Sequence, residues 1–208
     1  LLASLSAAAA ANPYAQFADA LGADEILAAE PLNHLYTKRM VAQEGVNQGA
    51  AVLLCSVGAA RRLGIPTEHW VFLHGMAEGA DHNLSERADP GRSAMAEAVL
   101  DRTFAMAGKT IADIDLVEIY SCFACAVSSA AAYLGLPLDG SRPLTLTGGL
   151  PYFGGPGNNY SMHSLAEAVA QLRHSPAAYA LVVAMGGILS KHAAGIYSRE
   201  PSAVNWAE

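Results

Sequence analysis

Residues 144–163 read LTLTGGLPYFGGPGNNYSMH, and the division of this run between extended chain, turn and helix decides the fold. Leu144 to Thr147 is short, apolar and β-branched, which predicts a strand, and Met162 to Arg173 carries the apolar spacing of a helix. Between them stand Gly148, Gly149, Gly154, Gly155 and Gly157. Glycine has no Cβ and accepts positive φ, so this segment can bend sharply and let a ligand approach the main chain. It is not a phosphate loop, because no Lys follows the last glycine, and the dinucleotide spacing G-x-G-x-x-G is absent. A plain glycine-rich connection and a binding loop both fit the residues.

Elements of the same two kinds alternate on either side. Helices are predicted for Leu1 to Ala11, ended by Asn12-Pro13, and for Ala23 to Ala29. Glu30 to Gln48 is polar and irregular, a long loop of the kind that usually carries function. GAAVLLCS, Gly49 to Ser56, reads as a fully buried strand with Cys55 as a small core residue, followed by a helix that stops at Gly64. Trp70 to His74 is a short strand and Gly75 to Gly91 a polar loop. A helix then runs from the N-cap Ser93 to Gly108. The strand Asp115 to Tyr120 leads into a helix closed by Gly135, and further strands are predicted at Ala178 to Ala184 and Ala194 to Tyr197. Near-continuous apolar strands alternating with helices indicate an α/β layered domain, its sheet covered on both faces. The chain divides into a helical and loop segment, 1–48, and a larger unit, 49–208.

The chain has 208 residues, long enough for a substantial core. Hydrophobic residues make up 52% and charged residues 15%, so disorder is excluded and some apolar surface is expected to face another chain or a missing half. A net charge of -7 without a basic run argues against nucleic acid and anionic membranes as partners. No apolar stretch approaches the roughly 18 residues of a membrane span. Cys55, Cys122 and Cys125 cannot build a disulfide framework, which suits a reducing cytoplasm. The missing initiator Met suggests a piece of a longer protein.

Chemistry concentrates at two junctions. Cys122 lies where a strand hands over to a helix, a position whose free amides stabilise a thiolate and lower its pKa. Cys125 completes a CxxC pair, which without a second pair gives too few ligands for zinc and fits either a redox motif or two buried side chains. Tyr120 is either a proton donor or a half-buried phenol with its hydroxyl satisfied. His163, next to the glycine-rich loop, is a pocket candidate, and Asn158 and Asn159 could donate to a carbonyl oxygen. His74, Asp81 and His82 lack a firm further ligand, so no metal site is assigned. Lys191 and His192 are expected to be solvated.

The ordered segments VNQGAAVLLCS, DLVEIYSCFACAV, LTLTGGLPYFGGPGNNYSMH and AMGGILSKHAAGIYS resemble the C-terminal half of the thiolase superfamily, closest to acetyl-CoA acetyltransferases and thiolase-like proteins related to SCP2-type thiolases. The resemblance covers about Asn12 to Tyr197. It implies a layered αβαβα fold with a mixed sheet, a homodimer, and acyl transfer on a coenzyme A thioester in lipid metabolism. That thioester would be a substrate, with no further cofactor.

The family's Asn-Glu-Ala-Phe motif, His-Asp-Cys-Phe in SCP2-type enzymes, falls on Tyr120 to Phe123, where Cys122 and Phe123 match and Tyr120 does not. Its Gly-His-Pro motif falls on Gly154, Gly155 and Pro156, so glycine replaces the catalytic His. Its Cys-x-Gly motif falls on Ala184, Met185 and Gly186, so alanine replaces the second catalytic Cys. The nucleophilic Cys belongs to an N-terminal half not included in this sequence. The resemblance therefore implies a catalytic set of Tyr120, Cys122 and His163, with substrate contacts from Gly154, Gly155, Asn158, Asn159 and Gly186. It equally implies two alternatives: a thiolase-fold aldolase that uses tyrosine and pairs with an OB-type partner, or a catalytically silent subunit that binds the thioester.

Overall fold

A computed structural model describes residues 1–203; the last five positions of the 49–208 segment lie outside the described residues. Ten principal elements follow in chain order: α1 (Leu2–Ala10), α2 (Ala23–Ala28), α3 (Val57–Arg62), β1 (Phe72–Ala80), α4 (Ala94–Ala107), β2 (Leu116–Ile119), α5 (Ala124–Leu134), α6 (Tyr160–His174), β3 (Tyr179–Gly186) and β4 (Lys191–Ser198). The strands form one mixed sheet in the order β1-β4-β3-β2. β2 and β3 are parallel, while β4 pairs antiparallel with both β3 and β1.

Side chains on a strand alternate between its faces, and β3 uses both. Leu181 and Val183 join Val99 and Leu100 of α4 and Val127 and Leu134 of α5 in the main core, whereas Ala180 and Val182 pack with Ala168 and Leu172 of α6. Helices therefore cover both faces, as expected of an α/β layered domain. Local chemistry sets the helix ends. The Ser93 hydroxyl accepts from the Ala96 amide at 3.1 Å to start α4, and α4 and α5 stop at Gly108 and Gly135, both in the left-handed region that glycine tolerates.

Two predicted strands do not form. Residues 49–56 are irregular, with Leu53 71% and Leu54 89% exposed, and Cys55 is exposed rather than in the core. An apolar run becomes a strand only where another strand completes its ladder, and none lies alongside among the described residues. Leu144 to Thr147 is also without strand pairing, because the amides of Leu146 and Thr147 donate to the Glu118 carboxylate at 2.5 and 3.1 Å. The Leu144 carbonyl still accepts from the Ile119 amide of β2 at 3.0 Å, but beyond it a side chain takes the place of the ladder. Conversely, residues 75–80, read as loop, extend β1 along β4 from Gly75 opposite Ile196 to Ala80 opposite Lys191.

The glycine-rich run is held from two sides. Gly148 has φ of 111° and lies so close to Ala9 of α1 that a Cβ would run into that residue's backbone. The long loop packs on the other side, where the Gln43 amide donates to the Leu150 carbonyl at 3.2 Å and the Gly155 amide donates to the Gln43 carbonyl at 2.8 Å.

Candidate functional site

Immediately after β2 the chain stops being sheet and becomes the wall of a cleft. The Tyr120 amide still donates to the Val183 carbonyl at 3.0 Å, whereas the Cys122 carbonyl accepts from Ala42 of the long loop at 3.1 Å. Tyr120, Cys122 and Phe123 thus face the loop across a cleft of about 740 Å³, which Tyr36, Glu44 and Gly155 also line. Phe123 stacks at a tilt on Tyr36, ring centres 5.5 Å apart. Tyr120 leans edge-on against the buried Tyr160, 5.4 Å away.

Burial reinforces the protonated form of both candidate groups. It pushes the Tyr120 phenol up, with a smaller contribution from Cys122. It also pushes the Cys122 thiol up, outweighing the Phe123 amide that favours the thiolate. The expected lowering of the Cys122 pKa is therefore reversed: α5 begins at Ala124 with Phe123 as its N-cap, so Cys122 stands one residue outside the helix and loses more by desolvation than the helix end returns. At neutral pH the cleft presents an O–H and an S–H, two donors for a carbonyl oxygen.

The remaining candidates lie elsewhere. Asn158 is exposed and does not line the cleft. Asn159 is committed to residues 49–56: its carboxamide accepts from the Ala50 amide at 2.9 Å and donates to the Ala50 carbonyl at 3.3 Å. His163 sits one layer behind, its ring 5.2 Å from Phe153, with Nε2 buried and without a hydrogen-bond partner among the described residues. Burial lowers its pKa, so it stays neutral. Gly154 packs against Gln48, and Gly186 ends β3 opposite Lys191; neither lines the cleft. Of the candidates, Tyr120, Cys122 and Gly155 line the cleft, and Gly154, Asn158, Asn159, His163 and Gly186 are not among its lining residues. No cluster of three or more His, Cys, Asp or Glu side chains that could hold a metal ion occurs among the described residues.

Two sets of residues escaped the sequence reading. Glu118, fully buried in β2, receives hydrogen bonds from Leu146, Thr147, Thr145 and Tyr160 and so ties the start of the glycine-rich run and of α6 to the sheet. A glutamate within an otherwise apolar strand was the available signal. His192, expected to be solvated, is 6% exposed and lies 3.0 Å from Ser93 Oγ.

No family model matches the chain. An acetyl-CoA acetyltransferase from Methanothermobacter thermautotrophicus is 29% identical over 78% of this chain and 45% of its own length. Among solved structures, a monomeric SCP2-thiolase like protein type 1 from Mycobacterium smegmatis superposes with a TM-score of 0.90 at 45% identity, covering 97% of this chain and 45% of that one.

The chain is SCP2-thiolase-like over the part of these relatives that it spans.

A further structure, the Ltp2-ChsH2(DUF35) aldolase, shares the fold with a TM-score of 0.77 at 17% identity, over 96% of this chain and 57% of that one. This thiolase-like chain spans under half the length of the first two relatives. Its motif positions now acquire physical reasons. Gly155, at the family's His position, lies against the long loop: a Cβ there would stand 3.1 Å from the Gln43 carbonyl and 3.4 Å from Ala42. Ala184 pairs with Ala193 on β4 and is not among the residues that line the cleft. Tyr120 is the motif residue of this thiolase-like chain that enters the cleft carrying a functional group unlike the family's own.

Proposed function

We propose that this chain forms part of a thiolase-like acyl-CoA acyltransferase that holds a coenzyme A thioester in the cleft between the long loop and the β2–α5 junction. The observation that carries this is the convergence of the Tyr120 phenol and the Cys122 thiol, both kept protonated by burial, on one cleft. Two neutral donors lining one cleft could together stabilise the charge that develops on a carbonyl oxygen during acyl transfer, in the manner of an oxyanion hole. Glu44 is the carboxylate among the cleft-lining residues and is the group of this chain that can accept a proton. The nucleophile comes from the remainder of a longer protein, which also covers the exposed apolar run around Leu53 and Leu54. Work in the cytoplasm on lipid-derived acyl groups completes this reading, with Cys55, Cys122 and Cys125 all free thiols; among the described residues no helix is long and apolar enough to cross a membrane.

A second reading is favoured by the phenol of Tyr120. Carbon–carbon cleavage of a β-hydroxyacyl thioester needs a donor at the thioester carbonyl and an acceptor for the hydroxyl proton, and requires no covalent acyl-enzyme. The aldolase among the structural neighbours makes this the natural competitor, with a second protein as partner. Incubation of the full-length protein with an acyl-CoA panel, followed by intact-mass measurement, separates the two. An acyl adduct supports transfer; cleavage of β-hydroxyacyl thioesters without an adduct supports the aldolase. Tyr120→Phe lowers turnover about 10- to 100-fold in either case, and unchanged turnover in that variant would remove Tyr120 from the site.

A further inference from the structure

A second hollow lies on the other side of α5, between α4, α5 and the adjoining ends of β3 and β4, and shares no lining residue with the cleft. Val99, Ala126 and Val183 form its apolar rear, and Arg87, Ser93 and His192 lie among its polar residues. It offers about 30 Å³ of accessible space, room for roughly two or three water-sized groups.

Arg87 is the unexplained group. Its side chain is 5% exposed, and its contact with the Asp81 carboxylate is 3.7 Å from Nε, beyond hydrogen-bond distance. Nε donates to the His82 carbonyl at 3.1 Å and Nη2 to the Leu189 carbonyl. Nη1 is buried with no hydrogen-bond partner among the described residues. Asp81 is meanwhile engaged by the Ser93 hydroxyl at 2.7 Å and the His82 amide at 2.8 Å, so its charge is shared among several donors. A buried guanidinium with an unmatched N–H and only a distant carboxylate is an expensive arrangement unless something else accepts from it.

The neighbouring hydroxyl and imidazole do not form a nucleophile and base. His192 Nε2 lies 3.0 Å from both Ser93 Oγ and the Leu189 carbonyl. A carbonyl only accepts, so Nε2 carries the hydrogen and cannot take a proton from Ser93. Ser93 in turn donates to Asp81 and accepts from Ala96 to cap α4. The cluster is built to hold rather than to react, and the positive end of the 14-residue α4 adjoins it.

We propose that this hollow binds the carboxylate group of a short aliphatic acid, with Arg87 Nη1 donating to the carboxylate and the alkyl end against Val99, Ala126 and Val183. The site is independent of the reaction assigned to the cleft. Full-length protein is titrated at constant ionic strength with acetate, propionate and octanoate, with chloride as the control anion, reading heat and thermal midpoint. Acetate and propionate bind saturably and raise the midpoint, and chloride does not. Arg87→Met weakens binding by about tenfold or more, the scale of one charge-assisted pair. Ser129→Leu, at an exposed position lining the hollow, blocks it without touching the Arg87 network. Tyr120→Phe leaves it unchanged. Octanoate binding as tightly as propionate identifies the ligand as the carboxyl end of a longer acid, with the Arg87 assignment intact. Equal responses to chloride and acetate, or binding that survives both the Arg87 and Ser129 variants, overturn the proposal and leave a void that holds water only.

Discussion

The Tyr160 hydroxyl donates to Glu118 Oε1 at 2.7 Å inside a fully buried network, and this contact joins the first residue of α6 to the middle of β2. Around it the Glu118 carboxylate collects the Thr145 hydroxyl at 3.0 Å and the amides of Leu146 and Thr147. The sheet is thereby fastened to the segment that leads into the glycine-rich loop, which forms part of the cleft. The donors favour the ionised carboxylate, yet burial outweighs them and raises the Glu118 pKa above its ordinary value.

Glu118→Gln replaces one accepting oxygen by an N–H₂ group that faces donors, leaving buried hydrogen bonds unmade. A loss of about 2–4 kcal/mol in unfolding free energy is expected, measured by chemical denaturation of the full-length protein. The pH dependence gives a second check. Because the folded-state pKa is raised, the folded state holds this proton more tightly. Its contribution to stability is present below the ordinary glutamate range and is lost as pH rises through the raised value. Subtracting the Gln variant's stability curve from that of the parent should isolate a term that declines with rising pH over this window; a term that grows would contradict the burial argument.

Gly148→Ala tests the contact between the glycine-rich bend and α1. The backbone there is at a φ that side-chain-bearing residues rarely adopt, and the added methyl would meet the Ala9 backbone. Strain and overlap together should cost about 3 kcal/mol or more, seen as a large fall in thermal midpoint. Gly157→Ala, with positive φ but open space around it, should cost roughly 1 kcal/mol.

Cys122 should be slow towards alkylating reagents. Its thiol is held up by burial, whereas Cys55 is exposed on the irregular run before α3. Mass mapping after a limited iodoacetamide pulse at pH 7.5 on this 208-residue chain should find Cys55 modified ahead of Cys122. The Cys122 rate should continue to climb above the pH at which ordinary thiols level off. Preferential labelling of Cys122 at neutral pH would mean that it is an activated nucleophile after all.

Gly155→His restores the residue type of the family motif but not its function. The new Cβ would press on the Gln43 carbonyl at 3.1 Å and on Ala42 at 3.4 Å, so the long loop must shift by some tenths of an ångström. The expected outcome is about 1–3 kcal/mol of destabilisation with no gain in acyl-transfer rate. A gain in rate would show that the loop yields without cost.

Periodicity and end signals determined most of the architecture. The apolar runs of β2 and β3, the N-cap at Ser93 and the stops at Gly108 and Gly135 are written in short-range sequence, because each depends on residues a few positions apart. The motif resemblance likewise located Tyr120, Cys122 and Gly155, the residues that meet at the cleft. Contacts distant in sequence settled the rest. Whether 49–56 and 144–147 become strands depends on what lies beside them, and only the folded chain shows Asn159 gripping Ala50 and Glu118 occupying the amides of Leu146 and Thr147. The same holds for protonation. A sequence shows that Cys122 precedes a helix, but the water removed from its sulfur is a property of tertiary packing, and here that desolvation exceeds the pull of the helix end. Burial and long-range hydrogen bonding are sums over neighbours that the linear order of residues does not name, which is why His192 and Arg87 emerged as a buried cluster only in three dimensions.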